Sequence, residues 1–239
     1  MYATLIECDP HKTLGGSCIR DLFNTANYLS QNYKININVF TNNTLKNSEK
    51  LKFPQKCKFY IIKNLKNQIR SITDTMKKNN ILFVLISGHG YQTGDKNSDE
   101  IDGRDEYVRT NDGILLDDTI NDIFLYRHDI KVVGVLDTCH SGSLFDLQYS
   151  WNGSSWIKAK KNIINTYSAI SISACRDNQL EACDITDKYG FGGALVGHLL
   201  DNDYLKILIT GNMDQIINIY KKIKKILSVF GQQPVLQKN

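Results

Sequence analysis

Two stretches of the sequence decide the fold: residues 81–90 read ILFVLISGHG, and residues 131–142 read KVVGVLDTCHSG. Each begins with a nearly continuous run of Val, Ile, Leu and Phe, which is typical of a strand buried on both faces of a parallel sheet. Each run then gives way to glycines and polar residues. Because reacting groups in open α/β sheets lie beyond the carboxyl ends of the strands, we expect the functional site at these two strand ends.

Similar apolar runs recur along the chain and alternate with amphipathic segments. The runs predicted to be strands are 3–7, 37–40, 59–62, 81–87, 131–137, 169–173 and 206–210. The segments predicted to be helices are 19–31, 65–78, 117–126, 193–201 and 213–230. The polar stretches 41–56, 91–113 and 148–165 are predicted to be loops. The alternation predicts an α/β fold, a three-layer α/β/α sandwich with a mostly parallel central sheet.

Length and composition fit a folded protein of one domain, residues 1–239. Hydrophobic residues make up 41% of the chain and charged residues 23%, with only three prolines, which argues against disorder and coiled coil. No apolar run approaches the roughly 18 residues of a membrane span, and the start lacks the layout of a secretion signal. We therefore expect a cytoplasmic protein with no membrane partner. Six cysteines without C-x-x-C spacing indicate neither a disulfide scaffold nor a zinc ribbon.

Charge is unevenly distributed. Residues 89–122 contain ten acidic residues against three basic ones, a net charge of −7, whereas the rest of the chain carries +11. The basic excess is mostly scattered lysines, with one cluster at residues 221–225. Isoleucines and a leucine recur through 216–227 as an apolar stripe, so the cluster is predicted to be the solvated face of a helix. No nucleic-acid partner is expected.

The two strand ends carry a thiol and an imidazole, at Cys139 and His89. On neighbouring strands these side chains would meet, and an imidazole that takes the thiol proton raises the fraction of reactive thiolate. The amides of Gly90 and Cys139 would then be placed to bind an oxyanion. His140, adjacent to the cysteine, points elsewhere and is predicted to be structural. From the residues alone, a buried structural cysteine and a core histidine remain the alternative.

A glycine pattern after the first strand, Gly88-x-Gly90-x-x-x-Gly94, invites comparison with dinucleotide-binding loops. It is one residue too long. It also opens an acidic stretch and not a helix, so a phosphate would be repelled. Nucleotide binding is therefore not expected.

The motifs SGHG (87–90) and DTCHSG (137–142), with LFDLQY after them, resemble those of the metacaspases, arginine- and lysine-directed relatives of caspases. Further matches extend over nearly the whole chain: Gly16-x-Cys18-x-x-Asp21, DEIDGRDE (99–106), Asp117-Asp118, SACRDNQ (173–179), FGGA (191–194) and QQPVL (232–236). The resemblance implies a caspase-like fold with His89 as general base and acid and Cys139 as nucleophile. It further implies a large-subunit-like part (1–150), a connecting loop (151–165) and a small-subunit-like part (166–239).

The resemblance also implies the substrate. Asp21 and Asp137 match the two carboxylates of the family's primary specificity pocket, with Ser87 beside them, so peptides with Arg or Lys before the scissile bond are the expected partners. Two partly desolvated carboxylates favour a cation and repel an acidic side chain. The alternatives are Asp-directed cleavage of caspase type, which would require arginines there, and a non-catalytic calcium-responsive module. Read without the resemblance, Asp21 is a first-turn helix residue and Asp137 a strand-end cap.

The acidic stretch predicts a cation. Ten crowded carboxylates repel one another, and calcium, which takes six to eight oxygen ligands, relieves them. The spacing Asp95-x-Asn97-x-Asp99 imitates an EF-hand loop, but Glu100 stands where that loop requires glycine. The resemblance implies the ligands instead: Asp105, Asp117, Asp118 and Asp146, with calcium as activator. A merely solvated acidic loop is the alternative.

Three lysines, Lys158, Lys160 and Lys161, are candidates for the self-cleavage that is common in the family. The sequence resembles a catalytic core without a prodomain, and we expect a monomer. Where relatives have Thr-Ser-Ala-Asp after SACRDNQ, this chain has Leu180–Asp184, so contacts with substrate there are expected to differ.

Overall fold

A nine-stranded sheet forms the centre of the fold. The computed structural model describes residues 1–161, 167–179, 184–187 and 190–239. The strands of this sheet are β1 (Tyr2–Cys8), β2 (Asn36–Thr41), β3 (Lys58–Ile61), β4 (Ile81–Gly88), β8 (Lys131–Thr138), β9 (Tyr149–Trp151), β10 (Trp156–Lys158), β11 (Ser168–Ser173) and β14 (Val235–Lys238). Their order is β10-β9-β14-β11-β8-β4-β1-β2-β3. The six strands from β11 to β3 are parallel, and the three at the other edge are antiparallel.

Two smaller sheets lie beside the central one. They consist of β5 (Gly90–Gly94), β6 (Arg104–Thr110) and β7 (Gly113–Leu116), and of the hairpin strands β12 (Asp184–Asp187) and β13 (Gly190–Gly193). Both small sheets are antiparallel. The first follows directly after β4 and therefore starts at the strand end that carries His89.

Helices cover both faces of the central sheet. They are α1 (Ser17–Asn32), α2 (Asn47–Lys50), α3 (Leu65–Asp74), α4 (Asp117–Phe124), α5 (Ala194–Asp201), α6 (Tyr204–Thr210) and α7 (Met213–Leu227). Alternate residues of the strands pack into two apolar cores, one with α1 and α5–α7 and the other with α3 and α4. The predicted three-layer sandwich with a mostly parallel sheet is confirmed. Among the helices of the described ranges, none combines the length and apolar composition that crossing a bilayer requires.

The structure corrects the predicted elements in five places. Residues 206–210 were predicted to be a strand but belong to α6, where Leu205, Leu208 and Ile209 are buried at helical spacing. The polar stretch 41–56 contains the short helix α2, and 91–113 contains most of β5 and β6. The predicted connecting loop 151–165 is described up to residue 161, and this part contains β10 at the edge of the sheet. Strand β14 was not predicted. Short apolar runs do not separate helix from strand by periodicity alone.

Candidate active site

The register of the two central strands places the thiol beside the imidazole. In the β4–β8 pair, Ser87 faces Asp137 and Gly88 faces Thr138, and His89 and Cys139 are the next residue of each strand end. Neighbouring strands are about 4.8 Å apart. The backbones stay in contact beyond the strands, because a Cβ added to Gly90 would overlap the carbonyl oxygen of Cys139. The structure thus brings together the two predicted catalytic residues.

Cys139 differs from the other cysteines in its exposure. Of the cysteines within the described ranges, Cys8, Cys18, Cys57 and Cys175 are buried, whereas Cys139 is only partly buried. Burial raises the pKa of Cys57 to about 11 and that of Cys8 well above its usual value, so these thiols stay protonated and inert. A partly exposed thiol at the end of a buried strand is the arrangement expected of a nucleophile.

The imidazole of His89 is held by a threonine and a buried aspartate that the sequence analysis did not select. Thr13 Oγ1 lies 2.6 Å from His89 Nε2 and donates to Asp9 Oδ1 at 3.1 Å. A hydroxyl has one proton, so a Thr13 that donates to Asp9 accepts from Nε2–H. Nδ1 of His89 is then the nitrogen that is free to take a proton. The only sequence signal was Asp9 four residues before Thr13, a spacing that also caps turns.

The predicted oxyanion donors and the neighbouring histidine lie around the same strand end. Gly90 begins β5 against the Cys139 carbonyl, where no larger residue fits. His140 adopts a left-handed backbone with φ 44°. Its Nδ1 hydrogen bonds to the carbonyl oxygen of Asp177, and its backbone amide donates to the carbonyl oxygen of Gln179 at 3.2 Å. His140 therefore joins two loops, in agreement with a structural role.

The two carboxylates predicted to bind the substrate side chain are buried side by side, close to the strand ends that carry His89 and Cys139. Asp21 Oδ2 accepts a hydrogen bond from Ser87 Oγ at 2.7 Å, and Asp137 Oδ2 accepts from the amide of Val196 at 2.9 Å. Asp21 is 3% exposed and Asp137 5%. Burial raises the pKa of both groups, that of Asp137 to about 7, and Asp137 raises that of Asp21 further. Both carboxylates are therefore poised to gain from a cationic partner.

The hairpin β12–β13 completes the surroundings of these carboxylates. The amide of Gly193 donates to Asp21 Oδ1 at 3.0 Å. A Cβ at Gly193 would overlap the Asp137 carboxylate, and one at Gly192 would lie 2.5 Å from Asp21 Oδ1. Asp184, at the start of β12, adds a third acidic group and raises the pKa of both aspartates. Of the segment predicted to differ in its substrate contacts, residues 180–183 lie outside the described residues.

The acidic stretch folds into the three-stranded sheet β5–β7 and the start of α4. Its carboxylates lie close to Asp146, which comes from the segment after Cys139. We call this group the acidic cluster: Asp95, Asp99, Glu100, Asp105, Asp117, Asp118 and Asp146. Burial, with smaller contributions from neighbouring carboxylates, raises the pKa of Asp117 and that of Asp146 to about 8. Burial and Asp95 raise the pKa of Asp105. Charge is thus concentrated here without enough solvent to disperse it.

The geometry of the acidic cluster fits a hard divalent cation. Carboxylate oxygens of Asp105, Asp117 and Asp118 lie within 4.8 Å of one another, and so do those of Asp99, Asp118 and Asp146. Calcium ligands lie about 2.3–2.6 Å from the ion, so two oxygens on opposite sides of one ion are about 5 Å apart. Within the described ranges, Asp99 Oδ2 and Asp105 Oδ2 are buried and have no hydrogen-bond partner. The four predicted ligands therefore fall into two groups that share Asp118, and the second group also contains Asp99, which the sequence analysis did not propose as a ligand.

A lysine enters the acidic cluster. The side chain of Lys160 is fully buried, with Nζ 2.8 Å from Asp146 Oδ1, in contact with Glu100 Oε1 and 3.7 Å from Asp117 Oδ2. Burial lowers the pKa of Lys160 to about 8, and Asp99 opposes this decrease. Lys158, Lys160 and Lys161 were all predicted as self-cleavage candidates, but Lys160 is buried whereas Lys158 and Lys161 are exposed. Cleavage after Lys160 requires this side chain to leave the acidic cluster first.

A serine links the β5–β7 sheet to the segment that follows Cys139. Ser143, four residues after Cys139, donates its hydroxyl to Glu106 of β6, and its amide donates to Asp177 Oδ1 at 2.7 Å. Ser143 and Gly142 line a cleft of about 450 Å³ whose other walls include Glu100 and Ala159. The hydrogen bond between Ser143 and Glu106 therefore connects the β5–β7 sheet to the loop that follows Cys139.

The sequence and the fold are each similar to those of known proteins. Residues 2–148 match the family described as "Metacaspase, peptidase C14 domain". Metacaspase-1 of Plasmodium falciparum is 30% identical over 142 residues, which cover 56% of this chain and 23% of that protein. Metacaspase-3 of Arabidopsis thaliana is 31% identical over 133 residues, which cover 49% of this chain and 36% of that protein. The chain thus matches only a quarter to about a third of the length of these curated relatives.

The crystal structure of protein GSU0716 from Geobacter sulfurreducens is similar over 99% of this chain and 92% of that one, with a TM-score of 0.59 and 21% identity. At this identity the likeness concerns the fold alone, and it agrees with the caspase-like sandwich. The family match covers more than half of the sequence and includes both strand ends, His89 and Cys139. The chain therefore belongs to the metacaspase family.

Proposed function

We propose that this protein is a cysteine endopeptidase that cleaves after Arg or Lys and is activated by calcium. One observation carries the proposal: the paired ends of β4 and β8 deliver His89 and the partly exposed Cys139 to the same point. A thiol and an imidazole so placed form the pair needed for covalent catalysis of acyl transfer.

The chemistry follows from the two side chains. His89 Nδ1 takes the proton of the Cys139 thiol, and the thiolate attacks the carbonyl carbon of the scissile bond. The amides of Gly90 and Cys139 are the proposed donors to the oxyanion. The C–N bond then breaks as His89 returns its proton to the departing amine, which leaves a thioester on Cys139. Water, deprotonated by His89, hydrolyses the thioester and restores the thiol.

The preference for Arg or Lys rests on Asp21 and Asp137. Buried carboxylates with raised pKa values gain when a guanidinium or ammonium replaces the lost water, whereas an acidic side chain would add a further negative charge. Ser87 and the Gly193 amide hydrogen bond to Asp21 and hold its carboxylate in place. Because residues 192 and 193 are glycines, the backbone of β13 can approach both carboxylates closely.

The role of calcium rests on the acidic cluster, in particular on the buried oxygens of Asp99 and Asp105 that have no partner. Asp105, Asp117, Asp118 and Asp146 are the proposed ligands. Calcium supplies two positive charges that cancel the repulsion between these carboxylates. The β5–β7 sheet then becomes more rigid. Because Ser143 donates to Glu106 of this sheet, the loop that follows Cys139 becomes ordered with it.

Peptide hydrolysis tests the proposal. Fluorogenic peptides ending in Arg, Lys or Asp are compared in calcium and in chelator, with the Cys139→Ala variant as control. We expect hydrolysis of the Arg and Lys peptides only, dependent on calcium and absent from the variant. Cleavage of the Asp peptide would contradict the specificity, and unchanged activity in chelator would contradict the calcium requirement. Labelling of Cys139 by an arginyl halomethyl ketone separates an inactive interaction module from a peptidase.

The proposal includes the surroundings in which the protein works. The thiol of Cys139 must stay reduced, which favours the cytoplasm. One chain supplies every residue of the proposed mechanism, so a monomer is sufficient. Self-cleavage after the exposed Lys158 or Lys161 belongs to the same proposal, and mass spectrometry after addition of calcium would detect it.

A further inference from the structure

The unusual feature of the acidic cluster is its resident cation. Lysine side chains are almost never fully buried unless they are paired, and Lys160 has no exposed side-chain surface. Its Nζ lies among the oxygens of Glu100, Asp117 and Asp146, and the last two are proposed calcium ligands. The ammonium therefore occupies carboxylate oxygens that a bound metal ion would need.

We infer that Lys160 is a built-in competitor of the divalent cation: the ammonium neutralises the acidic cluster in the metal-free chain and has to leave when calcium binds. This inference rests on the calcium site of the proposed function. The exclusion is both steric and electrostatic. An oxygen of Asp146 that contacts Nζ at 2.8 Å cannot also coordinate an ion in the same direction, and two cations sharing these oxygens would repel each other.

The position of Lys160 in the chain gives the exchange a structural consequence. Lys160 forms an isolated antiparallel bridge with Glu100, and the next amide, that of Lys161, donates to the Asp99 carbonyl at 2.7 Å. The segment after β10 is thus fastened to the acidic turn by two backbone contacts and by the Lys160 side chain. Ala159, in the same segment, lines the cleft that Gly142 and Ser143 also line. Departure of Lys160 loosens this wall of the cleft.

The same exchange exposes a new basic residue. In the metal-free chain Lys160 is inaccessible to any peptidase, whereas Lys158 and Lys161 are exposed. Once calcium occupies the acidic cluster, Lys160 becomes a solvent-accessible lysine in a loosened segment. Calcium would therefore control both the enzyme and the availability of one of its own cleavage sites.

Calcium affinity is the first test. The variant Lys160→Met keeps a similar side-chain volume, with one atom less in length, but removes the charge. Lys158→Met removes the same charge from an exposed position of the same segment. Both are made in a Cys139→Ala chain so that self-cleavage cannot occur, and calcium binding is measured by titration calorimetry. We expect Lys160→Met to bind calcium at least about fivefold more tightly than the parent, within the range typical of coupled sites. Lys158→Met should bind like the parent.

Equal affinity in Lys160→Met and the parent would overturn the inference and leave the calcium proposal standing. Absence of calcium binding by all three chains would overturn both. If Lys160→Met does not fold in chelator, the competition is measured on the Cys139→Ala chain by acetylating amines and locating the products by mass spectrometry. We expect Lys160 to be acetylated at least about fivefold faster in saturating calcium than in chelator at equal ionic strength. Lys161 serves as the exposed reference, and a Lys160 that remains protected in bound calcium would refute the exchange.

Discussion

The substitution Asp137→Asn tests the specificity site with little change of shape. Asp137 is 5% exposed, and its Oδ2 accepts the Val196 amide at 2.9 Å, a bond that an asparagine carbonyl oxygen can retain. The negative charge is what disappears. Loss of one partner of a buried charge pair costs about 2–5 kcal/mol. Because Asp21 remains beside the substrate cation, we expect the lower end, about 2 kcal/mol, which is a decrease of about 30-fold in kcat/KM for arginyl peptides.

The assay compares kcat/KM for an arginyl peptide with the rate at which iodoacetamide alkylates Cys139. Alkylation does not use the specificity site, so it should change little, which separates lost recognition from lost thiolate. Asp214→Asn, an exposed aspartate in the first turn of α7, is the matched control for removal of one charge. Less than a threefold loss with the arginyl peptide, or an equal loss in both measurements, would refute the assignment of Asp137 to substrate recognition.

Three further changes test the rest of the site. Thr13→Val removes the hydrogen bond to His89 Nε2, and we expect kcat to fall about tenfold, the equivalent of about 1.4 kcal/mol, with recovery in Thr13→Ser; unchanged kcat would contradict the positioning role. Gly90→Ala puts a methyl group into the Cys139 carbonyl, so we expect activity to be lost while circular dichroism shows the chain folded; full activity would show that the strand ends are not in contact. In chelator, the melting temperature should fall as the pH rises from about 4 to about 8, because in this range the cluster carboxyls whose pKa is raised to about 8 hold protons only in the folded chain, and calcium should reverse the fall.

The central strands and the placement of His89 and Cys139 at neighbouring strand ends were predictable because each depends on a local pattern. Val, Ile, Leu and Phe in continuous runs specify strands buried on both faces, and the parallel arrangement brings the residues after them to one edge. The positions of His89 and Cys139 follow from that rule. Asp21 could not be placed beside Asp137 in this way, since α1 and β8 are distant in sequence and only the family motif connected them.

The features that escaped prediction depend on tertiary contacts. Residues 206–210 form a short apolar run that suits a strand as well as a helix, and packing against α5 and α7 decides for the helix. Lys160 lies in a polar stretch that was predicted to be a loop, and nothing in that stretch indicates that its side chain is buried. Its burial depends on Glu100, Asp117 and Asp146, which come from three separate segments. No window of sequence around Lys160 contains that information.

The strand order of the central sheet determines what a nicked chain would look like. A break between residues 158 and 161 leaves β8 and β9 on one fragment and β11 and β14 on the other, yet β14 and β11 lie between β9 and β8. The shorter fragment is hydrogen bonded to the longer one on both sides. Its Ser168–Ser173 pairs with β8, and its Gln237–Lys238 pairs with β9. Severed in this way, the two polypeptides would separate on a denaturing gel while migrating as a single particle in native buffer.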